Sequence, residues 1–383
     1  MSDPETSPEL DYEYVREIAR NAIQSRVMGP IVAYFSADTL GEFVLQNAVA
    51  AFLAKRFPNT YVLGTFRNDP PYRAFIVECN SYVTGSMAAD ADSGMTLPVD
   101  WFDVGAYAPI KCPDETWYDK GFHEPGLILL PNMMSVSAAR LTGLAEAPPC
   151  FCLPTECEAG LREALVKRGL DPGRWLACLA VEGAASGAAG DHAARVDVAT
   201  YVPMLRHIVE GQGGQVVRVG PPEAQPLPEM DGLIDLSRDA NSFAEQVAAA
   251  SLARYVVGAD SGILPLACAF RVPAAATNVP GFEGLVWNRE DVVLAKKLRL
   301  SDGATLTTGE AFDRHHLDAP APDGAAWIDN TSDELVAIAD HMFQATGDCS
   351  GWRPKAEEIP WRETGTITFP HTFRDRPLVR FWD

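Results

Sequence analysis

Two carboxylates stand where an apolar stretch gives way to a helical pattern. Asp38 and Glu42 follow the stretch Ile31–Phe35, which reads IVAYF, and Glu42 opens a run that predicts a helix to about residue 56. A carboxylate at the carboxyl end of a strand is placed to take a proton from an acceptor group. The alternative is that both side chains only cap the helix and complement its dipole. We therefore expect Glu42 first, and Asp38 second, as the catalytic base.

A second polar turn, Asp260-Ser261-Gly262, lies between an apolar stretch that ends at Gly258 and a helix predicted from Ile263. A short turn with glycine at a helix N-terminus presents backbone N–H groups to an anion. We expect this turn to bind a diphosphate. The alternative is that it only caps the helix.

Basic side chains near other predicted strand ends add candidate phosphate ligands. Arg195 follows a loop of small residues, and Arg218 with Gly220 ends a predicted strand. Arginine binds phosphate through parallel hydrogen bonds. Lys296 adds positive charge further on, and a solvated surface pair with Lys297 is the alternative. These positions form neither a G-x-G-x-x-G nor a Walker motif.

The elements that must position these residues alternate between strand and helix in both halves of the chain. A strand at 31–35, a helix at 42–56 and a strand at 60–64 form a βαβ unit, which implies a parallel sheet. Further strands are predicted at 75–77 and 126–130, and residues 101–122 are predicted to be irregular.

The same alternation restarts after a linker at residues 147–158. The strands predicted there are 175–181, 215–219, 233–236, 255–258 and 274–277, and the helices are 158–168, 198–210, 241–253 and 263–270. Open α/β sheets bind ligands at the carboxyl ends of their strands. We therefore expect an acceptor-binding Rossmann-like domain at 1–150 and a nucleotide-binding one at 151–345, facing each other across a cleft. The tail, 346–383, is expected to pack back on the N-terminal domain.

Composition narrows the classes of partner. The formal net charge is −21, which repels nucleic-acid backbones and anionic membrane surfaces. No apolar run reaches membrane-spanning length, and the N-terminus is acidic and polar, so we expect a cytoplasmic protein. The sequence leaves a homodimer open.

The sequence gives little indication of a metal site. The eight cysteines are expected to be reduced and mostly buried. The group Cys150, Cys152 and Cys157 lacks a fourth ligand at usual spacing. Asp90-Ala91-Asp92 forms a D-x-D, and we interpret it as a solvated loop of the acceptor domain.

Two of these segments resemble the ADP-heptose:lipopolysaccharide heptosyltransferases. Residues 40–45 and the helix ending in Arg56-Phe57-Pro58 are similar to the opening of that family's acceptor domain, and residues 255–273 to its V-G-x-D-[ST]-G segment. Glu42 stands where the family carries an aspartate, Pro265 where it carries a histidine.

The C-terminal half is more similar still to a group of bacterial gene-cluster glycosyltransferases of GT-B fold. The matching positions are Arg195, Asp197, Tyr201, Arg218, Gly220, Ser261, Gly262, Pro273, Asn278, Lys296, Leu306, Thr307 and Glu310. This resemblance implies a GT-B enzyme that binds a nucleoside-diphosphate sugar through Arg195, Arg218, Gly220, Asp260, Ser261, Gly262, Asn278, Lys296 and Glu310. It also implies metal-independent transfer with inversion, and no cofactor. The chain departs from the group's pattern at Ala194, which stands where the group carries its arginine, one residue before Arg195.

Three further readings stay open. A narrower resemblance to the S-glycosyltransferases of lincosamide biosynthesis slightly favours a GDP-sugar donor and admits a thiol acceptor. A nucleotide-sugar epimerase or hydrolase of the same fold would turn over without an acceptor. A degenerate binding subunit is disfavoured by the retained Arg195, Arg218 and Asp260-Ser261-Gly262.

Overall fold

The structure is a computed structural model. It describes residues 31–35, 39–41, 43–44, 47, 62–67, 72–83, 85–89, 101–103, 151–181, 196–259, 261–279, 290–306, 324–347 and 380–381. These residues form two parallel sheets with helices packed against them, and one small antiparallel sheet. The α/β class predicted from the sequence is confirmed.

In the part of the chain that the structure describes, the N-terminal sheet has four parallel strands in the order β3-β2-β1-β4. They are β1 (Ile31–Phe35), β2 (Val62–Arg67), β3 (Gly85–Ala89) and β4 (Trp101–Asp103). The first predicted strand is confirmed, and the second begins two residues later than predicted. Strand β4 corrects the prediction that the segment from residue 101 is irregular.

Helix α1 (Tyr72–Glu78) follows β2, where the sequence predicted a strand at residues 75–77. That prediction was wrong. The buried side chains of Arg73, Ile76 and Val77 are three and four positions apart, so they share one face of a helix. A run of three apolar residues fits a strand or a helix. The spacing of the buried residues over the whole segment, from Arg73 to Val77, is that of a helix.

The C-terminal sheet has seven parallel strands in the order β14-β10-β9-β8-β5-β6-β7. They are β5 (Leu176–Ala180), β6 (Gln215–Val219), β7 (Leu233–Asp235), β8 (Tyr255–Gly258), β9 (Ala274–Val279), β10 (Val292–Ala295) and β14 (Arg380–Phe381). Every residue of β5, β6, β8, β9 and β10 is buried, as expected for parallel strands covered on both faces. The five strands predicted in this half are confirmed within one or two residues, and β10 and β14 were missed.

Among the described residues, five α-helices accompany this sheet. They are α2 (Thr155–Lys167), α3 (Val202–Arg206), α4 (Phe243–Leu252), α5 (Ile263–Ala269) and α6 (Ser332–Ala345). The sequence predicted one helix over 198–210, but α3 is preceded by the 3₁₀ turn Val198–Tyr201 and followed by the π-helical turn His207–Gly211. The helical segment is continuous, and only its first turn is 3₁₀: Pro203 has no N–H to donate, and the Val202 N–H bonds to the Ala199 carbonyl.

A small antiparallel sheet connects β10 to α6. Its strands are β11 (Lys297–Arg299), β12 (Thr305–Leu306) and β13 (Ala326–Ile328), with β11 in the middle. Helix α6 then begins with a capping box, in which Thr331 and Glu334 each accept the other's backbone N–H. Neither this sheet nor α6 was predicted from the sequence.

Each face of the C-terminal sheet has its own apolar core. Alternate residues of β5, such as Cys178 and Leu179, belong to different cores, since successive side chains point to opposite faces. The core that contains Cys178 continues into the N-terminal half through Phe35, Phe43 and Phe66. The two halves therefore share one apolar core on this face.

The ends of the proposed domains are only partly described. Arg380–Phe381 pairs with β10 at the edge of the C-terminal sheet. The domain bounds at residues 150 and 345, and the docking of the tail on the N-terminal domain, stay predictions.

Candidate functional site

The strands of the C-terminal sheet are parallel, so their carboxyl ends lie at one edge. Val181 follows β5, Gly220 follows β6, and Asp235 ends β7. Asn278 lies near the end of β9, and Lys296 directly follows β10. The fold therefore brings Gly220, Asn278 and Lys296, which were predicted from separate segments, to one edge.

Arg218 joins three strand ends beneath this edge. Its side chain is fully buried, and its Nη1 donates to Asp235 Oδ2 at 3.4 Å, while Nη2 donates to the Val181 carbonyl at 3.1 Å. Burial lowers the pKa of Arg218, and the Asp235 carboxylate counters that shift. Arginine nevertheless stays charged in proteins. Its Nε has no acceptor among the residues that the structure describes. Contact of Arg218 with a donor phosphate stays a prediction.

Gly220 turns the chain after β6. Its φ of +149° lies in a region that residues with side chains rarely adopt, and its N–H donates to Gln246 Oε1 at 2.9 Å. The Gln246 amide nitrogen donates to the Leu236 carbonyl at 3.3 Å and to the Ser242 hydroxyl at 2.9 Å. Helix α4, which carries Gln246, thus holds the turns after β6 and β7 together.

Asn278 is the extra residue of a β-bulge. The pairing of β9 with β10 passes from Thr277 to Val279 and skips Asn278, whose φ is +53°. Asn278 and Asn330 exchange two 2.6 Å hydrogen bonds, each backbone N–H donating to the other's side-chain oxygen. The Asn278 amide nitrogen also donates to the Tyr201 hydroxyl at 2.9 Å. All these groups are buried, so the side chain of Asn278 stabilises the bulge.

The Tyr201 hydroxyl is the centre of a buried hydrogen-bond network. It lies 2.8 Å from the Thr277 hydroxyl, which donates to the Gly258 carbonyl at 3.0 Å. Burial raises the pKa of Tyr201 to about 12, against the lowering effect of its hydrogen bonds to Thr277 and Asn278. Tyr201 therefore stays neutral at physiological pH and connects the ends of β8 and β9.

Lys296 is buried beneath a carboxylate. Its Nζ lies 2.9 Å from Asp329 Oδ1, with the lysine side chain 1% exposed and the aspartate 32%. The other oxygen, Oδ2, accepts the Asp197 backbone N–H at 3.5 Å. The alternative of a solvated surface lysine is wrong for Lys296. Whether this ammonium reaches a donor stays a prediction.

Residues 329–334, which lead into α6, hydrogen-bond to the carboxyl end of β10 and to the 3₁₀ turn before α3. Asn330 donates to the Ala295 carbonyl at 3.0 Å, and the Ser332 hydroxyl to the Thr200 carbonyl at 2.9 Å. Glu334 accepts from Lys297 Nζ. Sequence reasoning missed Asp329 and Asn330. The capping-box pattern Thr331-x-x-Glu334, directly after them, was the available signal.

The polar turn after β8 touches the N-terminal half. Ser261 is buried, and its hydroxyl accepts the Ile263 backbone N–H at 3.3 Å. Gly262 packs so closely against Gly41 that a Cβ added to Gly262 would lie 2.7 Å from the Gly41 nitrogen. Gly41 lies in the helical segment after β1, so the carboxyl ends of β1 and β8 face each other.

The same interface continues along α5. The Phe151 N–H donates to the Ala269 carbonyl at 2.9 Å, and its ring meets that of Phe270 edge-on at 5.8 Å. The Cys152 N–H donates to the Cys79 carbonyl at 2.8 Å. Within the predicted linker, Phe151 and Cys152 therefore pack between the two halves.

Several predicted site residues lie outside the described residues. They are Asp38, Glu42, Arg195, Asp260 and Glu310. Cys150, the D-x-D at 90–92 and the strand predicted at 126–130 lie outside them too.

No disulfide joins the cysteines that the structure describes. Cys79, Cys178 and Cys268 are buried, whereas Cys152 is exposed. Burial raises the pKa of Cys79 and Cys178, so both stay protonated. Within the part of the chain that the structure describes, no group of three or more potential ligands is placed to hold a metal ion. None of the described helices is both long and apolar enough to cross a membrane.

Comparison with known proteins identifies the fold. No family model and no curated protein matches the sequence. The structure is similar to a glycosyl transferase family 9 protein from Veillonella parvula, with a TM-score of 0.52 and 12% identity, over 88% of this chain and 99% of that one. It is also similar to E. coli ADP-heptose LPS heptosyltransferase II, with a TM-score of 0.47 and 13% identity, over 83% of this chain and all of that one. The fold is GT-B, with two Rossmann-like sheets that face each other, as predicted.

Proposed function

We propose that this chain is a glycosyltransferase that moves a sugar from a nucleoside-diphosphate sugar to an acceptor. One observation supports this proposal most directly: the carboxyl ends of β1 and β8 face each other where Gly41 packs against Gly262. Parallel sheets bind ligands at these ends, so two substrates held on the two sheets would meet here. The similarity to a protein named as a glycosyl transferase supports the same activity.

The donor is proposed to bind the C-terminal edge. Its diphosphate would lie against Asp260-Ser261-Gly262, with Arg195 as the cation within reach of phosphate oxygens. Arg218 and Lys296 are engaged by Asp235 and Asp329, so a phosphate would have to compete with a carboxylate for either one.

Four more residues complete the proposed donor site. Gly220 and Asn278 would shape the turns that receive the donor, and Lys296 and Glu310 would complete its surroundings. The buried contacts of Gly220, Asn278 and Lys296 indicate that they act on the shape of this edge more than by direct contact.

Glu42 is proposed as the base that activates the acceptor, with Asp38 as the second candidate. It directly follows Gly41, at the point where the two halves meet. A helix N-terminus lowers the pKa of a carboxyl group, so Glu42 would be ionised and able to accept a proton at neutral pH.

The transfer is proposed to be a single in-line displacement that inverts the anomeric centre without a divalent metal. Backbone N–H groups and basic side chains would stabilise the charge on the leaving diphosphate. Either a hydroxyl or a thiol acceptor fits this scheme, as does a role in natural-product biosynthesis with a GDP-sugar. We place the enzyme in the cytoplasm.

The alternative is a nucleotide-sugar epimerase or hydrolase of the same fold. The test is to incubate the protein with UDP-, GDP-, ADP- and dTDP-sugars, with and without pooled small-molecule and glycan acceptors, and to measure release of the nucleotide. Release that depends on an acceptor is expected for the transferase. Equal release without acceptor would establish the alternative.

A binding experiment identifies the donor independently of the acceptor. The nucleoside diphosphates UDP, GDP, ADP and dTDP, with CMP for comparison, are tested for their effect on the melting temperature. A ligand that binds only the native state at 100 times its Kd stabilises it by about 2.7 kcal/mol. No shift with any of them would contradict a nucleotide donor.

A further inference from the structure

The backbone of residues 40–41 packs directly on Gly262. A Cβ added to Gly262 would lie 2.7 Å from the Gly41 nitrogen and 2.9 Å from Leu40 Cβ. Gly262 has φ −60° and ψ −14°, which any residue adopts. Its backbone conformation therefore does not require glycine. The close approach of the N-terminal half does.

The contact is asymmetric. A Cβ added to Gly41 would lie 3.4 Å from Gly262 Cα and 3.8 Å from Pro265 Cγ, which are ordinary van der Waals distances. The same methyl group is therefore tolerated from the N-terminal side and not from the C-terminal side. This difference allows the contact to be tested with two matched variants.

Helix α5 cannot easily move to relieve a clash at Gly262. All seven of its residues are buried, and the Ala269 carbonyl at its other end holds the Phe151 N–H at 2.9 Å. Close-packed interiors transmit strain. An added methyl at Gly262 would therefore displace the segment that contains Leu40 and Gly41 away from the C-terminal sheet.

We propose that Gly262 is a positioning residue for the transfer step, because its missing side chain sets how closely the Gly41 segment approaches the C-terminal edge. This inference rests on the proposed function. Glu42 follows Gly41 directly, so a shift of Gly41 moves the proposed base relative to the donor. Reacting groups must come within about 3–3.5 Å, and an error of about 1 Å lowers the rate about 10²-fold.

The experiment compares Gly262→Ala with Gly41→Ala. Turnover is measured with saturating acceptor, and the Kd of the donor's nucleoside diphosphate by titration calorimetry. For Gly262→Ala we expect kcat to fall by about 10²-fold and the Kd to weaken much less, because the added Cβ meets Gly41 and Leu40 while the proposed diphosphate contacts are made by backbone N–H groups. For Gly41→Ala we expect kcat and Kd close to wild type. Gly160→Ala in α2 is the control, because an added Cβ there meets nothing within 4 Å.

Two results would overturn the proposal. One is an equal kcat for the two variants, which would show that the close approach does not position the base. The other is a Kd that weakens in parallel with kcat, which would show that the methyl group acts on the donor. If Gly262→Ala does not fold, Gly41→Val adds a branched side chain to the same contact. It is then expected to lower kcat without weakening nucleotide binding, and unchanged kcat overturns the proposal.

A stability measurement separates this inference from the proposed function. Absent turnover and absent nucleotide binding in the wild type would remove the proposed function. The steric basis is still tested, since overpacking by Gly262→Ala should lower the melting temperature by about 1–4 °C relative to Gly41→Ala. Equal melting temperatures would refute the steric basis itself.

Discussion

At the scale of single residues, both predicted cations of the C-terminal edge that the structure describes are buried under carboxylates. Arg218 is fully buried against Asp235, and Lys296 is 1% exposed against Asp329. Burying an ion pair is costly unless further hydrogen bonds complete it. The Val181 carbonyl provides such a bond for Arg218, and the backbone and hydroxyl of Ser237 provide them for Asp235.

This burial predicts different effects for the two arginines that contact Asp235. Arg218 and Arg238 each lie 3.4 Å from Asp235 Oδ2, with side chains 0% and 52% exposed. Removing one partner of a buried pair costs about 3–5 kcal/mol, whereas an exposed pair contributes less than about 1 kcal/mol. Urea denaturation should therefore show a large loss of unfolding free energy for Arg218→Ala and a small one for Arg238→Ala. Similar losses would mean that burial does not distinguish them.

The proposed base gives a second prediction at this scale. With a hydroxyl acceptor, Glu42→Gln should lower turnover by about 10²–10⁴-fold and leave nucleotide binding unchanged. With a thiol acceptor the loss should be much smaller, because a thiol with a pKa near 8.5 ionises with little help. Initial rates of nucleotide release measure both cases.

Glu163→Gln is the control for this variant, because Glu163 is an exposed carboxylate paired with Lys167 on the surface of α2. If Glu42→Gln and Asp38→Asn both kept wild-type turnover on a hydroxyl acceptor, the base would be another residue.

At the scale of elements, the bulge in β9 depends on contacts from two other parts of the chain. Tyr201 ends the 3₁₀ turn before α3, and Asn330 lies just before α6. Both hydrogen-bond to Asn278, which alone leaves the ladder between β9 and β10. The carboxyl end of β9 is therefore shaped jointly by these elements.

Two variants of Asn278 distinguish the effect of its backbone conformation on stability from the effect of its side-chain hydrogen bonds. Asn278→Ala and Asn278→Gly both remove the side-chain bonds to the Tyr201 hydroxyl and to the Asn330 backbone N–H, and both keep the bond from the Asn278 N–H to Asn330 Oδ1. Only alanine is also strained at a φ of +53°, and the left-handed region costs a residue with a Cβ about 1–2 kcal/mol. Chemical denaturation should find Asn278→Ala less stable than Asn278→Gly by about this amount. The reverse order would show that the positive φ is not retained in solution.

At the scale of the whole molecule, two parallel sheets share an apolar core on one side. Phe35, Phe43 and Phe66 of the N-terminal half belong to the same core as α4 and α5 of the C-terminal half. Tyr72 and Phe243 extend this contact, with ring centroids 5.1 Å apart. The relative position of the two halves is therefore set by packing as well as by the linker.

The proposed metal-independent mechanism makes a prediction for the whole enzyme. Turnover should be unchanged after EDTA treatment, because backbone N–H groups and basic side chains are proposed to stabilise the leaving diphosphate. Rates before and after chelation, with a metal-dependent transferase as a positive control for EDTA, measure this. Loss of activity that magnesium or manganese restores would contradict the mechanism.

The sequence by itself determined the α/β class and most strands of the C-terminal half, because buried parallel strands are short apolar runs between polar turns. It also indicated the turns that carry Gly220 and Ser261-Gly262. It did not distinguish the strand predicted at 75–77 from helix α1, since three apolar residues fit both elements.

Only the tertiary structure decided which residues meet. Lys296 looked like one of a solvated pair until the fold placed Asp329, thirty-three positions further along the chain, 2.9 Å from its ammonium group. Gly262 was predicted only as part of an anion-binding turn, and the packing of Gly41 against it was visible only in the tertiary structure. The local order of apolar and polar residues indicates the period of a helix or strand and the residue types in its turns. Burial, ion pairing and close approach depend on residues far apart in the chain, which only the packing of the sheets brings together.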